Sequence, residues 1–437
     1  MTSRGRRRAG LILYAGILLF AWGSGGPYPF LRALVSAGSP NDFTPDYVAA
    51  HAWLHGGPHG SAAAAVLDGE AGNVYGATLG AREVLLKAAY YVHPPTAFLT
   101  LMPLVPFGYQ AAAAVWLLLS VALLGLLSHL LVTATGRSAG GGARLALFTL
   151  LLFWPQVLLN LELGQWSILL ATTIAVGHAA WERGEHQRGA AWFATAVALK
   201  LSPIVLLPFV ALRDRRATVA LFVTLAAAAA LSLAAGQLDA WRQVFAHSAP
   251  NVAAWQADHH NTLSLSGLMA RLLIGGPVAR PLAVAPTWAR LLSLGGEASL
   301  AGIALWLTAG RKPGAPPDRL TDGCCFALWN IIMVVSNPLA WAHYAILLLL
   351  PMALILRAAD ADRPEAPAMR AMVAMVAVAL ITFTIPVAAI DRAVRPLPLT
   401  PADSLLISCP LLGALLLFVA AALGARAGRV PIEAAEI

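Results

Sequence analysis

Charge is what this sequence has least of: 11% of its 437 residues are charged, against 59% hydrophobic, and mean hydropathy is +0.72. An ordinary soluble domain carries about a quarter of its residues as charges, so a soluble globule is excluded. Cysteine is scarce too. Cys324, Cys325 and Cys409 sit in or beside apolar runs without metal or redox spacing, which excludes a disulfide framework. The polar/apolar alternation of a membrane β-barrel is also missing. The net charge of +8 does not imply a nucleic-acid partner, because the arginines fall between hydrophobic segments, as positive-inside topology requires.

What remains is apolar length. Runs rich in Leu, Ala and Val recur along the chain, each able to cross about 30 Å of hydrocarbon as a helix. The expectation is an all-α polytopic membrane protein in a lipid bilayer, a single domain over residues 1–437 with about 10 to 12 crossings. Arg4, Arg6, Arg7 and Arg8 precede an apolar run at residues 9–30, which reads as an uncleaved helix with a cytoplasmic N-terminus. Residues 32–93 then form an outer loop. Within it, Phe43, Tyr47, Ala50 and Leu54 share one helical face, and residues 84–92 supply a second, so both read as helices lying in the interface.

Further along, residues 96–105 are too short between prolines to span and read as a re-entrant half-segment. Residues 110–133 and 146–160 read as crossings. The run at 190–212 is interrupted by Lys200-Leu201-Ser202-Pro203 and reads as two half-helices meeting near the outer side. Following the parity to the C-terminus puts nearly every arginine-rich loop in the cytoplasm. Asp42, His93, Glu162, Gln165, Lys200, His260 and His343 then gather on the outer face, a one-sided clustering that favours an enzyme over a transporter.

Individual residues carry chemistry in that arrangement. Asp42 and Asp46 follow the first apolar segment four positions apart; the competing reading makes Asp42 a helix cap and Asp46 a solvated first-turn acid. Lys200 in an apolar run costs about 2.5 to 3.5 kcal/mol at a helix centre, which either snorkelling or an anionic ligand would offset. His343, two residues after Trp341, can donate to phosphate or sugar hydroxyls, or be a satisfied interfacial residue. Glu162 and Gln165 brace a turn or meet sugar hydroxyls, and His93 before Pro94 and Pro95 lines a pocket or closes the loop. Adjacent His259 and His260 lack the spacing of a common metal site, so no metal and no cofactor are expected.

The ordered set of these residues resembles glycosyltransferase family 87. Asp42-Phe43 with Tyr47 comes first, then Tyr91-Val92-His93-Pro94-Pro95 with Trp116, then Gly164-Gln165 and Lys200-Leu201-Ser202-Pro203. Asn337-Pro338-Leu339-Ala340-Trp341-Ala342-His343 completes it. His260-Asn261-Thr262 stands where that family usually has Asn-Gln-Ser. The resemblance implies a GT-C-like helical bundle in a bacterial plasma membrane. It implies transfer of a sugar, mannose above arabinofuranose, from a polyprenyl-phosphate donor to a hydroxyl of a glycolipid or glycan acceptor. Asp42 would be the catalytic base. Lys200, His343, Trp341, Gln165 and His93 would meet the donor phosphate or sugar, and Asp46, Glu162, His260 and Asn261 the acceptor or the base's surroundings. A lipid or solute transporter is the alternative from another class, though it calls for interrupted helices repeated in two halves, and the sequence shows one clear interruption.

Overall fold

A computed structural model of the chain describes residues 42–54, 93–136, 140–245, 263–276, 278–310, 318–360, 366–385 and 398–427. The apolar run at 9–30, the amphipathic stretch at 84–92, His260 and Asn261 lie outside the described residues. Within them the protein is all-helical, with one isolated extended bridge between Ala279 and Leu399. Its helices are α1 (Phe43–Leu54), α2 (Pro95–Phe107), α3 (Tyr109–Ala134), α4 (Gly141–Leu152), α5 (Pro155–Leu163), α6 (Ser167–Glu182), α7 (His186–Leu199), α8 (Ser202–Arg213) and α9 (Arg215–Ala234). They continue with α10 (Leu238–Gln243), α11 (Leu265–Leu273), α12 (Pro286–Ala309), α13 (Arg319–Val335), α14 (Ala342–Ala359), α15 (Ala366–Thr384), α16 (Pro401–Leu406) and α17 (Cys409–Ala427).

Six of these are long and apolar enough to cross a membrane, or seven if α4 and α5 make one span. The protein is therefore a multi-pass membrane protein. That count covers the described residues alone and leaves out the apolar run at 9–30, the first of the ten to twelve expected crossings. Helices α6 and α7, at 16 and 14 residues, are shorter than a full span, and α2 and α8 are shorter still.

Proline lies at or just after two of the breaks. The segment expected to run straight through residues 146–160 bends by 64° between α4 and α5. Trp154 is extended there, and Pro155 follows as the first residue of α5, where its missing N–H costs nothing. Lys200 is also extended, at φ −155° and ψ 132°, so α7 and α8 are separated at the residues that interrupted the apolar run in the sequence.

Helix α1 turns its apolar face to protein. Phe43, Tyr47 and Ala50 are almost wholly buried, and the Tyr47 hydroxyl donates to the Val105 carbonyl at 3.2 Å. Only Leu54 of that face is exposed. The apolar stripe packs on α2 and on Tyr109 of α3, so protein covers a face that lipid could have covered. The sequence period for the two situations is the same.

The centre of the bundle is α13, every residue of which from Gly323 to Val335 is buried; it is flanked by α8, α12, α14 and α17. Around it the helices close on small residues. At the α6–α7 contact, a methyl group on Gly189 would lie 2.8 Å from the Gly177 carbonyl oxygen, well inside contact distance. Gly189→Ala should therefore force the two helices apart and cost roughly 1–3 kcal/mol by overpacking, read as a lowered thermal midpoint in detergent. An unchanged midpoint would mean the contact is slack.

Candidate functional site

The helices that carry the sequence's polar residues share a polarity. Gln165 precedes α6 and Glu182 ends it; Lys200 follows α7 and His186 begins it; His343 opens α14 and Arg357 lies near its end. The bundle thus has two chemically different ends. At one end are the ion pairs Arg357–Glu182 at 2.6 Å and Arg213–Asp322 at 2.8 Å and the hydrogen bond His186–Asp214 at 2.9 Å. Asp214 also caps α9, accepting from the backbone N–H groups of Arg216 and Ala217. The other end holds Asp42, Asp46, His93, Gln165, Lys200 and His343.

That second end is built around two carboxylates. Asp46, in the first turn of α1, is 2% exposed. Its Oδ2 accepts from the Trp166 indole N–H at 2.6 Å, and its Oδ1 lies 3.0 Å from His93 Nδ1. Asp42, half-buried just before α1, accepts on Oδ2 from the Gln165 side-chain amide at 2.6 Å. Neighbouring residues of one turn therefore each hold one carboxylate of a pair four positions apart.

The turn is set by local geometry. Gly164 adopts φ +65°, a left-handed conformation that glycine takes without strain and that ends α5. Its carbonyl accepts from the Trp116 indole N–H at 3.0 Å, and the Leu163 carbonyl accepts from the Asp42 backbone N–H, also at 3.0 Å. Rings fill the remaining space: Trp116 and Trp166 have centroids 4.8 Å apart, Phe43 stacks on Trp116 at 5.6 Å, and His93 lies 5.1 Å from Trp166.

The second half of the site comes from the break at Lys200 and the start of α14. Lys200 is 8% exposed, and its ammonium lies over the Tyr344 ring, 4.6 Å from the centroid. Among the described residues no carboxylate is within ion-pair distance of it. His343 is 1% exposed, meets Trp341 edge-on at 5.9 Å and Tyr344 at 5.0 Å, and lies within electrostatic reach of Lys200 and His93. Neither ring nitrogen of His343, nor the Tyr344 hydroxyl, has a hydrogen-bond partner among the described residues. The halves are tied by Thr96, three residues after His93, whose hydroxyl donates to the Ala198 carbonyl at 2.5 Å, two residues before Lys200.

Of the residues singled out in the sequence, Asp42, Asp46, His93 and Gln165 thus share one hydrogen-bonded cluster. Lys200, His343 and Trp341 form a second that adjoins it through His93. Glu162 lies on α5, part-exposed, beside this end. Trp166 and Tyr344 carried no sequence expectation, although each adjoins a residue that did. The sequence also holds an Asp-x-Asp pair, the pattern that can hold a metal diphosphate, at Asp360-Ala361-Asp362. Asp360 follows the far end of α14, some 25 Å from His343 at about 1.5 Å per residue, among the opposite end's arginines.

A model of glycosyltransferase family 87 matches residues 91–336, more than half of the chain. The chain belongs to glycosyltransferase family 87. No curated protein and no solved structure matches it. This glycosyltransferase carries His93, Gln165 and Lys200 within the matched residues, while Asp42, Asp46, Trp341 and His343 lie on either side of them.

The two indoles at the Gly164 turn donate to different acceptors, and that difference can be measured. Trp166→Phe removes a hydrogen bond to a buried carboxylate and should cost about 1.5–3 kcal/mol, whereas Trp116→Phe removes one to a neutral carbonyl and should cost about 0.5–1.5. Thermal midpoints of the two variants check this, and equal losses would mean that the two indole hydrogen bonds contribute alike.

Proposed function

We propose that this glycosyltransferase moves mannose from a polyprenyl-phosphate donor to a hydroxyl of a glycolipid or glycan acceptor at the outer face of the membrane, with inversion. The observation that carries the reading is one polar end of the bundle with a part-exposed, oriented carboxylate on one side. On its other side are a buried cation and a buried histidine that meet no carboxylate among the described residues. Transfer from a lipid phosphate needs both: a base for the attacking hydroxyl and cationic or donor groups on the departing phosphate.

In the proposed step the acceptor oxygen attacks the anomeric carbon as the bond from that carbon to the phosphate oxygen breaks. The bonding pair leaves with the polyprenyl phosphate, and the acceptor's proton passes to Asp42. Gln165 fixes one oxygen of Asp42, so the carboxylate meets the hydroxyl without first reorienting. Asp46 is enclosed by Trp166 and His93 and serves to hold that frame. Lys200 and His343 take the phosphate charge, with Trp341 beside them, and Glu162, His260 and Asn261 remain candidates for acceptor contacts. A lipid-linked donor is supported by the site's place at the end of membrane helices, and mannose by the family resemblance alone. No metal or other cofactor enters this step.

The orientation rests on arginine. Arg183, Arg188, Arg213, Arg215, Arg216, Arg319 and Arg357 all belong to the end opposite the carboxylates, which the positive-inside rule assigns to the cytoplasm. In a background lacking Cys324, Cys325 and Cys409, cysteines at Asp68, Asn261 and Asn337 should react with an impermeant maleimide added outside intact cells, and one at Gly314 should not. The reverse pattern would move the site to the inner leaflet.

Asp42→Asn keeps the shape and hydrogen-bonding capacity of the side chain but removes its basicity. With polyprenyl-phosphate mannose, a glycolipid acceptor and mass-spectrometric detection of product, turnover should fall by about 100-fold to 10,000-fold while donor binding persists. Asparagine caps a helix about as well as aspartate. Near-normal turnover in Asp42→Asn, with loss only in Asp42→Ala, would therefore reduce Asp42 to a cap.

A further inference from the structure

The Tyr344 ring meets the Lys200 ammonium face-on. Taking an ammonium out of water is costly, and a buried lysine is ordinarily met by a carboxylate. Here the compensation has a different character. A ring face attracts a cation through its quadrupole and carries no net charge, so it offsets part of the desolvation and leaves the full positive charge in place. A carboxylate at the same spot would hold the ammonium better and cancel it.

The surroundings maintain that separation. Asp46 is occupied by Trp166 and His93, and Asp42 by Gln165, each at hydrogen-bond distance. Tyr344 itself is 1% exposed, which fixes the plane of its ring, and its neighbour His343 lies 5.0 Å away on the same turn.

We propose that Tyr344 is a positioning residue. Its ring seats the Lys200 ammonium before any anion arrives and presents it, uncancelled, to the phosphate of a lipid-linked donor. The inference rests on the donor-phosphate reading of Lys200 given above and adds the residue that makes that cation ready.

The test is a double-mutant cycle on the full-length protein in nanodiscs, with polyprenyl phosphate as the anionic probe, polyprenol as its neutral counterpart and turnover measured alongside. Tyr344→Phe keeps the ring and should bind polyprenyl phosphate within about threefold of wild type. Tyr344→Leu removes the face and should weaken binding by about tenfold, raising the donor KM more than it lowers kcat and leaving polyprenol binding unchanged. In a Lys200→Gln background, Tyr344→Leu should have almost no further effect, because it acts through the ammonium.

Equal damage from Tyr344→Phe and Tyr344→Leu, or an undiminished loss in the Lys200→Gln background, would overturn the inference while leaving the donor-phosphate reading intact. Wild-type binding of polyprenyl phosphate by Lys200→Gln alone would overturn both. If Tyr344→Leu does not insert or fold, Tyr344→Met, close in volume and without a ring, takes its place in the cycle with the same expected outcomes.

Discussion

Asp46 holds a carboxylate at 2% exposure, and the two side chains that meet it, His93 and Trp166, come from positions 47 and 120 residues away. A buried charge without partners is costly enough that the three segments bearing these groups are constrained to one arrangement. Once Asp46 is fixed on α1, Asp42 is fixed as well, since residues four apart on a helical turn lie on one side. Gln165, adjacent to Trp166, is then within reach of Asp42. One buried carboxylate thereby sets the position of a second, more accessible one, and it does so through a single turn in which Gly164 is left-handed.

The same constraint acts with opposite sign at the other half of the site. A buried lysine and a buried histidine are met by aromatic rings, with no carboxylate on either among the described residues. Were Asp42 or Asp46 to pair with Lys200, both charges would be neutralised and neither base nor cation would remain for a substrate. The hydrogen bonds from Gln165, Trp166 and His93 keep the carboxylates engaged elsewhere. Charge separation inside a low-dielectric bundle is costly, and it is sustained here by neutral donors and ring faces that compensate charges without cancelling them.

How much of this could be read from the sequence follows from what is costly in a membrane. Asp42, Lys200 and His343 stand out because an ionisable group beside or within an apolar run needs a reason to be there. Trp166 and Tyr344 do not stand out, because an aromatic residue in apolar sequence fits a core, a lipid face and a site equally well. The stripe of Phe43, Tyr47 and Ala50 is ambiguous for the same reason: helical periodicity reports an apolar face and is silent on whether bundle or lipid covers it. Pro155 is a legible signal for the bend between α4 and α5, although the run at 146–160 reads as a crossing. The break at Lys200 was recoverable because charge, serine and proline coincide there.

That break also explains how the two halves stay in register. Ending α7 at Leu199 and extending the chain at Lys200 leaves carbonyls of the last turn without helical partners, and inside a membrane such groups must be satisfied by protein. Thr96 satisfies one, donating to Ala198. Because Thr96 follows His93 by three residues across two prolines that stiffen the connection, the histidine that meets Asp46 is tied to the backbone that presents Lys200. Movement at the lysine break would thus strain the carboxylate cluster, and displacement of His93 would expose a carbonyl beside Lys200. The requirement that opens the helix for a cation is the one that couples this cation to the base.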